Sequence, residues 1–146
     1  MGMSQGEAPR DPAFALHPRL AADTVAVATL GLSELRLMND DRYPWLILVP
    51  RRADIREFID LDAADQALLF DEIRRCGELL KAAHAPTRIN IAMIGNMVPQ
   101  LHAHVVARFD HDEAWPRPVW GLGESRPYPP DALAARVAGY RQSLGD

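Results

Sequence analysis

The chain of 146 residues is 48% hydrophobic and 25% charged, which fits one globular domain with enough apolar material for a core. Its formal net charge of −4 and pI near 5.7 exclude bulk electrostatic attraction to nucleic acid and leave only a local basic site open. The lone Cys76 excludes an internal disulfide, no apolar run approaches the ~20 residues that span a bilayer, and the N-terminus lacks the apolar centre of a signal peptide, so the expected setting is cytoplasmic with no membrane partner.

Residues 1–22 hold Pro9, Pro12 and Pro18 without periodicity and read as an arm, with a turn or short helix near 11–16. Met1-Gly2-Met3 leaves open whether the native start is Met3. Residues 23–30 are strand-like. After Gly31, residues 33–38 alternate Leu35 and Leu37 with Glu34 and Arg36, which predicts an antiparallel hairpin. A polar break at 39–44 ends at Pro44. Residues 45–49 (WLILV) are apolar throughout, the pattern of a strand covered on both faces. Arg51 and Arg52 follow, read as a solvated loop or a phosphate contact.

The spacing of Leu69, Ile73, Cys76 and Leu80 predicts a helix over 62–82 with one buried stripe. Asp62 caps it, Asp71 and Arg75 form an outer i, i+4 pair, and Cys76 is an inert buried thiol. Residues 88–94 and 100–109 form two further strands about Gly95. Residues 110–130 carry five of the twelve prolines with Trp115 and Trp120, so they form no regular element. Pro130 and Asp131 open a terminal helix to about 144. The class is α+β with a mostly antiparallel sheet. The organisation is an arm (1–22), a core (23–110), and a Pro-rich segment with a terminal helix packed on the same domain (111–146).

The chemistry concentrates in 96–108. If 100–109 is a strand, Gln100, His102, His104 and Val106 share one face, with Leu101, Ala103, Val105 and Ala107 on the other. Random placement of five histidines yields such a pair in roughly one chain in seven, so spacing alone leaves three readings. The rings are satisfied histidines on a half-exposed strand. Alternatively they bind a metal with help from His111, His84 or Asp110, although no clustered motif supports that. In the third reading a neutral imidazole attacks phosphorus while the second assists the leaving group. Imidazole suits that role because it is largely unprotonated at neutral pH, and a backbone carbonyl can take the Nδ1 proton and leave Nε2 open.

Residues 95–108 resemble the signature of the histidine-triad (HIT) superfamily, His-φ-His-φ-His-φ-φ with φ apolar. Leu37-Met38-Asn39 resembles the family's strand-end Asn at the ribose. The stretch from Pro44 through Trp45 to Pro50 resembles its Pro-Gly-His-φ-φ-φ-x-Pro strand. Gly95-Asn96 stands where the family has a Gly and a phosphate-contacting polar residue. The resemblance implies a five-stranded antiparallel sheet with helices, a homodimer, and a nucleoside phosphate bound at the triad. On that pattern His102 is the nucleophile that forms a nucleotidyl-histidine, His104 assists at the bridging or leaving oxygen, Asn39 holds ribose and Asn96 phosphate. Gln100 replaces the first triad His and keeps a supporting hydrogen bond, and Trp45 replaces the usual His of its strand. Retention of His104 favours hydrolysis, because the transferase branch has Gln there. Arg108 is a candidate phosphate contact or a structural Arg. Trp115 and Trp120 stack on a base, seal a dimer contact, or pack the loop. His17, His84 and His111 are expected at the surface. The expected activity is hydrolysis of a phosphoanhydride or phosphoramidate bond of a nucleotide such as a dinucleoside polyphosphate. No cofactor or protein-held metal is expected, though a divalent ion can arrive with the substrate. The alternative is a nucleotide-binding module that has lost turnover.

Overall fold

The computed structural model describes residues 11–145, so the question of the Met1-Gly2-Met3 start and the first part of the arm lie outside the described residues. A short helix α1 (Pro18–Asp23) precedes β1 (Thr24–Thr29), β2 (Ser33–Met38) and β3 (Trp45–Pro50). The long helix α2 (Ala63–His84), β4 (Arg88–Ala92), β5 (Ala103–Arg108) and α3 (Pro130–Ser143) complete the order. The five strands form one sheet, β1-β2-β3-β5-β4, with every neighbouring pair antiparallel. The expected α+β class with a five-stranded antiparallel sheet is the observed one.

β3 lies at the centre, and each of its residues is buried. Strand pleating sends Leu46 and Leu48 one way and Trp45, Ile47 and Val49 the other. The first set, with Leu35, Leu37, Val105 and Ala107, packs under Leu69, Ile73, Cys76 and Leu80 of α2 and Val137 and Tyr140 of α3. Burial pushes the Cys76 thiol up to about 12, consistent with inert packing. The second set meets Phe14 and Leu20 from the arm and α1, and Ala114 and Val119 from the Pro-rich segment. Both faces of the sheet are therefore covered, one by helices and the other by irregular chain.

Local chemistry explains the departures from the sequence reading. The arm makes the expected turn at 12–13, where Phe14 N–H bonds the Asp11 carbonyl (3.0 Å), and adds a helix at Pro18–Asp23, which Pro18 opens and the His17 ring caps by accepting from Arg19 N–H (3.0 Å). Residues 100–102 precede β5 instead of belonging to it. On α2, Asp71 pairs with Arg74 and not Arg75, because Arg74 reaches both Asp71 (2.7 Å) and Glu78 (2.6 Å). Arg51 is buried on the carbonyls of Leu30, Gly31 and Leu32, and Arg52 pairs with Asp65 (2.7 Å), so neither is a solvated loop cation.

Arg108 closes the far end of β5. It is 2% exposed, donates from Nε to Asp112 (2.9 Å) and from Nη1 to Asn90 (2.8 Å), and lies over the rings of Tyr43 and Trp115. The same carboxylate accepts the N–H groups of Phe109, Ala114 and Trp115, which starts the Pro-rich segment on its course over the sheet. Burial pushes the Asp112 carboxyl up, but Arg108 and these N–H groups outweigh it and leave the carboxyl below its usual range. Its contribution is complete above the ordinary carboxylate pKa and is lost as pH falls through the lower folded value. Asp112→Ala would leave a buried unpaired guanidinium and is expected to cost about 3–5 kcal/mol, read as a lower denaturant midpoint. A midpoint unchanged from wild type would show that Asp112 does not hold this corner.

Candidate active site

His104 lies inside β5, opposite Ile47 of β3 on one side and Ala92 of β4 on the other. His102 stands just before the strand. The two rings are 4.8 Å apart between centroids and inclined at 66°, and their residues are only 6% and 5% exposed. They sit on the sheet face covered by irregular chain, where Trp120 approaches His104 at 5.3 Å and Trp45 at 6.1 Å.

Their hydrogen bonds select opposite tautomers. His102 Nδ1 lies 2.7 Å from the carbonyl of Gln100. A carbonyl only accepts, so Nδ1 carries the proton and Nε2 keeps its lone pair. Trp45 Nε1 donates to His104 Nδ1 at 3.0 Å. An indole only donates, so His104 carries its proton on Nε2. The pair thus presents one basic nitrogen and one N–H donor. Burial lowers the His102 pKa, the Gln100 carbonyl opposes that, and charge on His17 adds to the lowering. Burial, helped by His102, pushes His104 down to about 3. Both rings are neutral at pH 7.

Beside Trp45 opens a cleft of about 420 Å³ whose walls include Arg19, Met38, Asn39, Arg42 and Trp120. That is an ordinary size for a small-molecule site. The Asn39 side-chain oxygen accepts Tyr128 N–H (2.9 Å), and the amide N–H₂ keeps its donors for another partner. Arg42 is held by Asp40 (2.8 Å) and the Leu122 carbonyl (2.9 Å).

The candidate residues are not all brought together. His102, His104 and the Gln100 backbone meet directly. The Gln100 side chain does not turn to the histidines: its Oε1 accepts His17 N–H and its Nε2 donates to the Ala15 carbonyl, both at 2.8 Å. Asn96 lies exposed in the loop after Gly95, which takes a φ of +69°. Arg108 leaves the set of phosphate contacts, since its guanidinium is consumed by Asp112 and Asn90. His84 bonds Tyr140 (2.7 Å) and His111 stacks on Phe109, so neither completes a metal site with His102 and His104. Among the described residues no cluster of three or more His, Cys, Asp or Glu could hold a metal ion. No helix among them is long and apolar enough to cross a membrane.

Sequence reasoning missed the bond made by Trp45 and the nearness of His17. Trp45 faces Val106, and that register is a long-range property that no local pattern prints. His17 carried a usable signal, a cap-like residue before Pro18, but its neighbours lie over 80 positions away.

¹⁵N-edited imidazole spectra are expected to show His102 protonated at Nδ1 and His104 at Nε2. Trp45→Phe is expected to turn His104 into a tautomer mixture, and a single unchanged tautomer would rule out Trp45 as its anchor. Because the unfolded ring titrates near 6.5 and the folded one near 3, the unfolded state binds more protons between those values. His104 therefore makes folding stability fall as pH drops from 6.5 toward 3.

Residues 19–111 match the HIT domain. A histidine-triad (HIT) protein from Sinorhizobium meliloti is 46% identical, with 89% of this chain and 96% of that chain covered and a TM-score of 0.87. A histidine triad protein from Bradyrhizobium japonicum is 44% identical, covering 90% and 98% with a TM-score of 0.87. One from Marinobacter aquaeolei is 41% identical, covering 90% and 96% with a TM-score of 0.88. No curated protein matches the chain. The chain belongs to the HIT domain family, whose members are generally nucleotide-binding hydrolases or transferases.

Proposed function

We propose that this HIT-family chain is a nucleotide hydrolase that works through a covalent nucleotidyl-histidine at His102. The observation that carries the reading is the opposed tautomer pair: an open Nε2 lone pair on His102 beside an Nε2–H on His104. In the first step His102 Nε2 forms a bond to phosphorus and the bond to the leaving group breaks, its electron pair departing with the leaving oxygen. The Nδ1–H to Gln100 carbonyl bond stabilises the positive charge left on the imidazole. Water then attacks phosphorus, the P–N bond breaks, and the water proton passes to solvent. His104 donates a hydrogen bond to the charged oxygens of the transition state.

His104 supplies no acidic proton at neutral pH, since Trp45 occupies its Nδ1 and burial keeps the ring neutral. The leaving group must therefore depart as a stable anion. That favours phosphoanhydrides, such as dinucleoside polyphosphates, over phosphoramidates, whose amine needs a proton. The nucleoside would occupy the cleft beside Trp45 and Trp120, with the Asn39 amide at the ribose and Asn96 at phosphate. Gln100, standing for the first triad His, acts through its backbone. No protein-held metal or cofactor enters this reading.

A second reading, a nucleotide-binding module without turnover, draws on the Gln100 side chain being spent on the arm. Rapid-quench labelling with a radiolabelled dinucleoside polyphosphate separates the two. Acid-labile label is expected on wild type and none on His102→Ala, with kcat falling about 10²–10³-fold in His104→Ala. Tight nucleotide binding with neither label nor turnover would establish the second reading.

We also propose a homodimer in the cytoplasm. β4 is a sheet edge, and Ile91 (52% exposed) and Met97 (80%) stand on or beside it. Light scattering is expected to give a dimer for wild type and a monomer for Ile91→Arg. A wild-type monomer at micromolar concentration would refute it.

A further inference from the structure

The arm makes a connection that the His102–His104 pair does not explain. Gln100 uses both ends of its amide to fix it, accepting from His17 N–H and donating to the Ala15 carbonyl. Leu16 packs against the apolar layer that carries Trp45, Trp120 and Val106. The arm is thereby pinned beside residue 100, whose own carbonyl holds the His102 ring. His17 is half-buried there, and α1 continues from it to line the cleft with Arg19, Ala22 and Asp23.

The His17 ring has a defined polarity. Its Nδ1 accepts from Arg19 N–H, so the proton of the neutral ring resides on Nε2. Nε2 has no hydrogen-bond partner among the described residues, whereas the other part-buried ring outside the pair, His84, is taken up by Tyr140. Charge on His17 is felt at His102, which agrees with their closeness.

From this geometry we propose that His17 is a substrate-binding residue, a third imidazole brought to the site by the arm, whose Nε2–H donates to a phosphate oxygen of the nucleotide held at His102. Gln100 is then a positioning residue. It holds His102 through its backbone and His17 through its side chain. The inference rests on the nucleotide reading given above. It assigns phosphate recognition to a residue far from 95–108 and predicts that the arm belongs to the site.

His17→Ser removes the imidazole and keeps an oxygen that can cap α1. Calorimetric titration compares adenosine with adenosine monophosphate on wild type, His17→Ser and Gln100→Ala. Wild type is expected to bind the monophosphate more tightly than the nucleoside. Both variants are expected to lose at least about tenfold in monophosphate affinity, the worth of one charged hydrogen bond, and His17→Ser is expected to keep its adenosine affinity. Folded His17→Ser with wild-type monophosphate affinity overturns the proposal while leaving the nucleotide reading intact. Wild type that binds neither ligand overturns both. Should His17→Ser fail to fold, the wild-type His17 Nε2 resonance decides. It is expected to shift on adding the monophosphate and not on adding adenosine, and a resonance that stays in place overturns the contact.

Discussion

The hydrogen bond from Trp45 to His104 is the constraint on which the chemistry of this site depends. It joins the two central strands on one face, β3 to β5, by a side-chain link as well as by their ladder. An indole N–H cannot give up its proton under ordinary conditions and cannot accept one. It therefore keeps Nδ1 of His104 unprotonated and leaves the ring's only proton on Nε2. Burial acts in the same direction. Without this anchor a ring so enclosed would be free to exchange tautomers, and the distinction between an open nitrogen and a donor would disappear. The rest of the second apolar layer, Phe14, Leu20, Val119 and Trp120, excludes water from that bond and strengthens it.

Such enclosure requires both faces of the sheet to be covered. α2 covers one by ordinary amphipathic packing, with Leu69, Ile73, Cys76 and Leu80 against the strands. The other is covered by chain with little regular structure, so it must be tied down at points. Asp112 ties the start of the Pro-rich segment to Arg108, and further along Arg42, held by Asp40, donates to the segment's Leu122 carbonyl. Gln100 does the same for the arm. These polar ties are buried or half-buried and satisfied, which is how irregular segments reach a defined position without helix or strand ladders.

Legibility in the sequence followed the range of the interaction. The apolar run of β3, the stripe on α2 and the alternation of β2 are local patterns, and each lies where the periodicity puts it. The histidine pair and its shared face were visible for the same reason. For Arg108 the sequence left a phosphate contact and a structural Arg open, because its partner, Asp112, looks like any loop aspartate until the turn brings it back over the strand and decides for the structural role. The extension of β5 to Gln100 was misread because alternation continues in residues 100–102, while the arm claims Gln100. Trp45 looked like the loss of a histidine. Only the strand register reveals the bond it makes in return.

Gln100 divides its work between its backbone and its side chain. On the proposed alignment it stands where the family's first triad histidine would be. The group that orients His102 here is the carbonyl of residue 100, and a carbonyl is the same for Gln as for His. Orientation of the His102 ring therefore places no demand on the side chain. The two nitrogens of an imidazole point apart, whereas the Gln amide sets its acceptor and donor side by side, and here they meet the His17 N–H and the Ala15 carbonyl of one short segment. Ring orientation and the docked arm thus meet in one residue: the carbonyl of Gln100 holds the His102 ring, and its side chain holds the segment that carries His17.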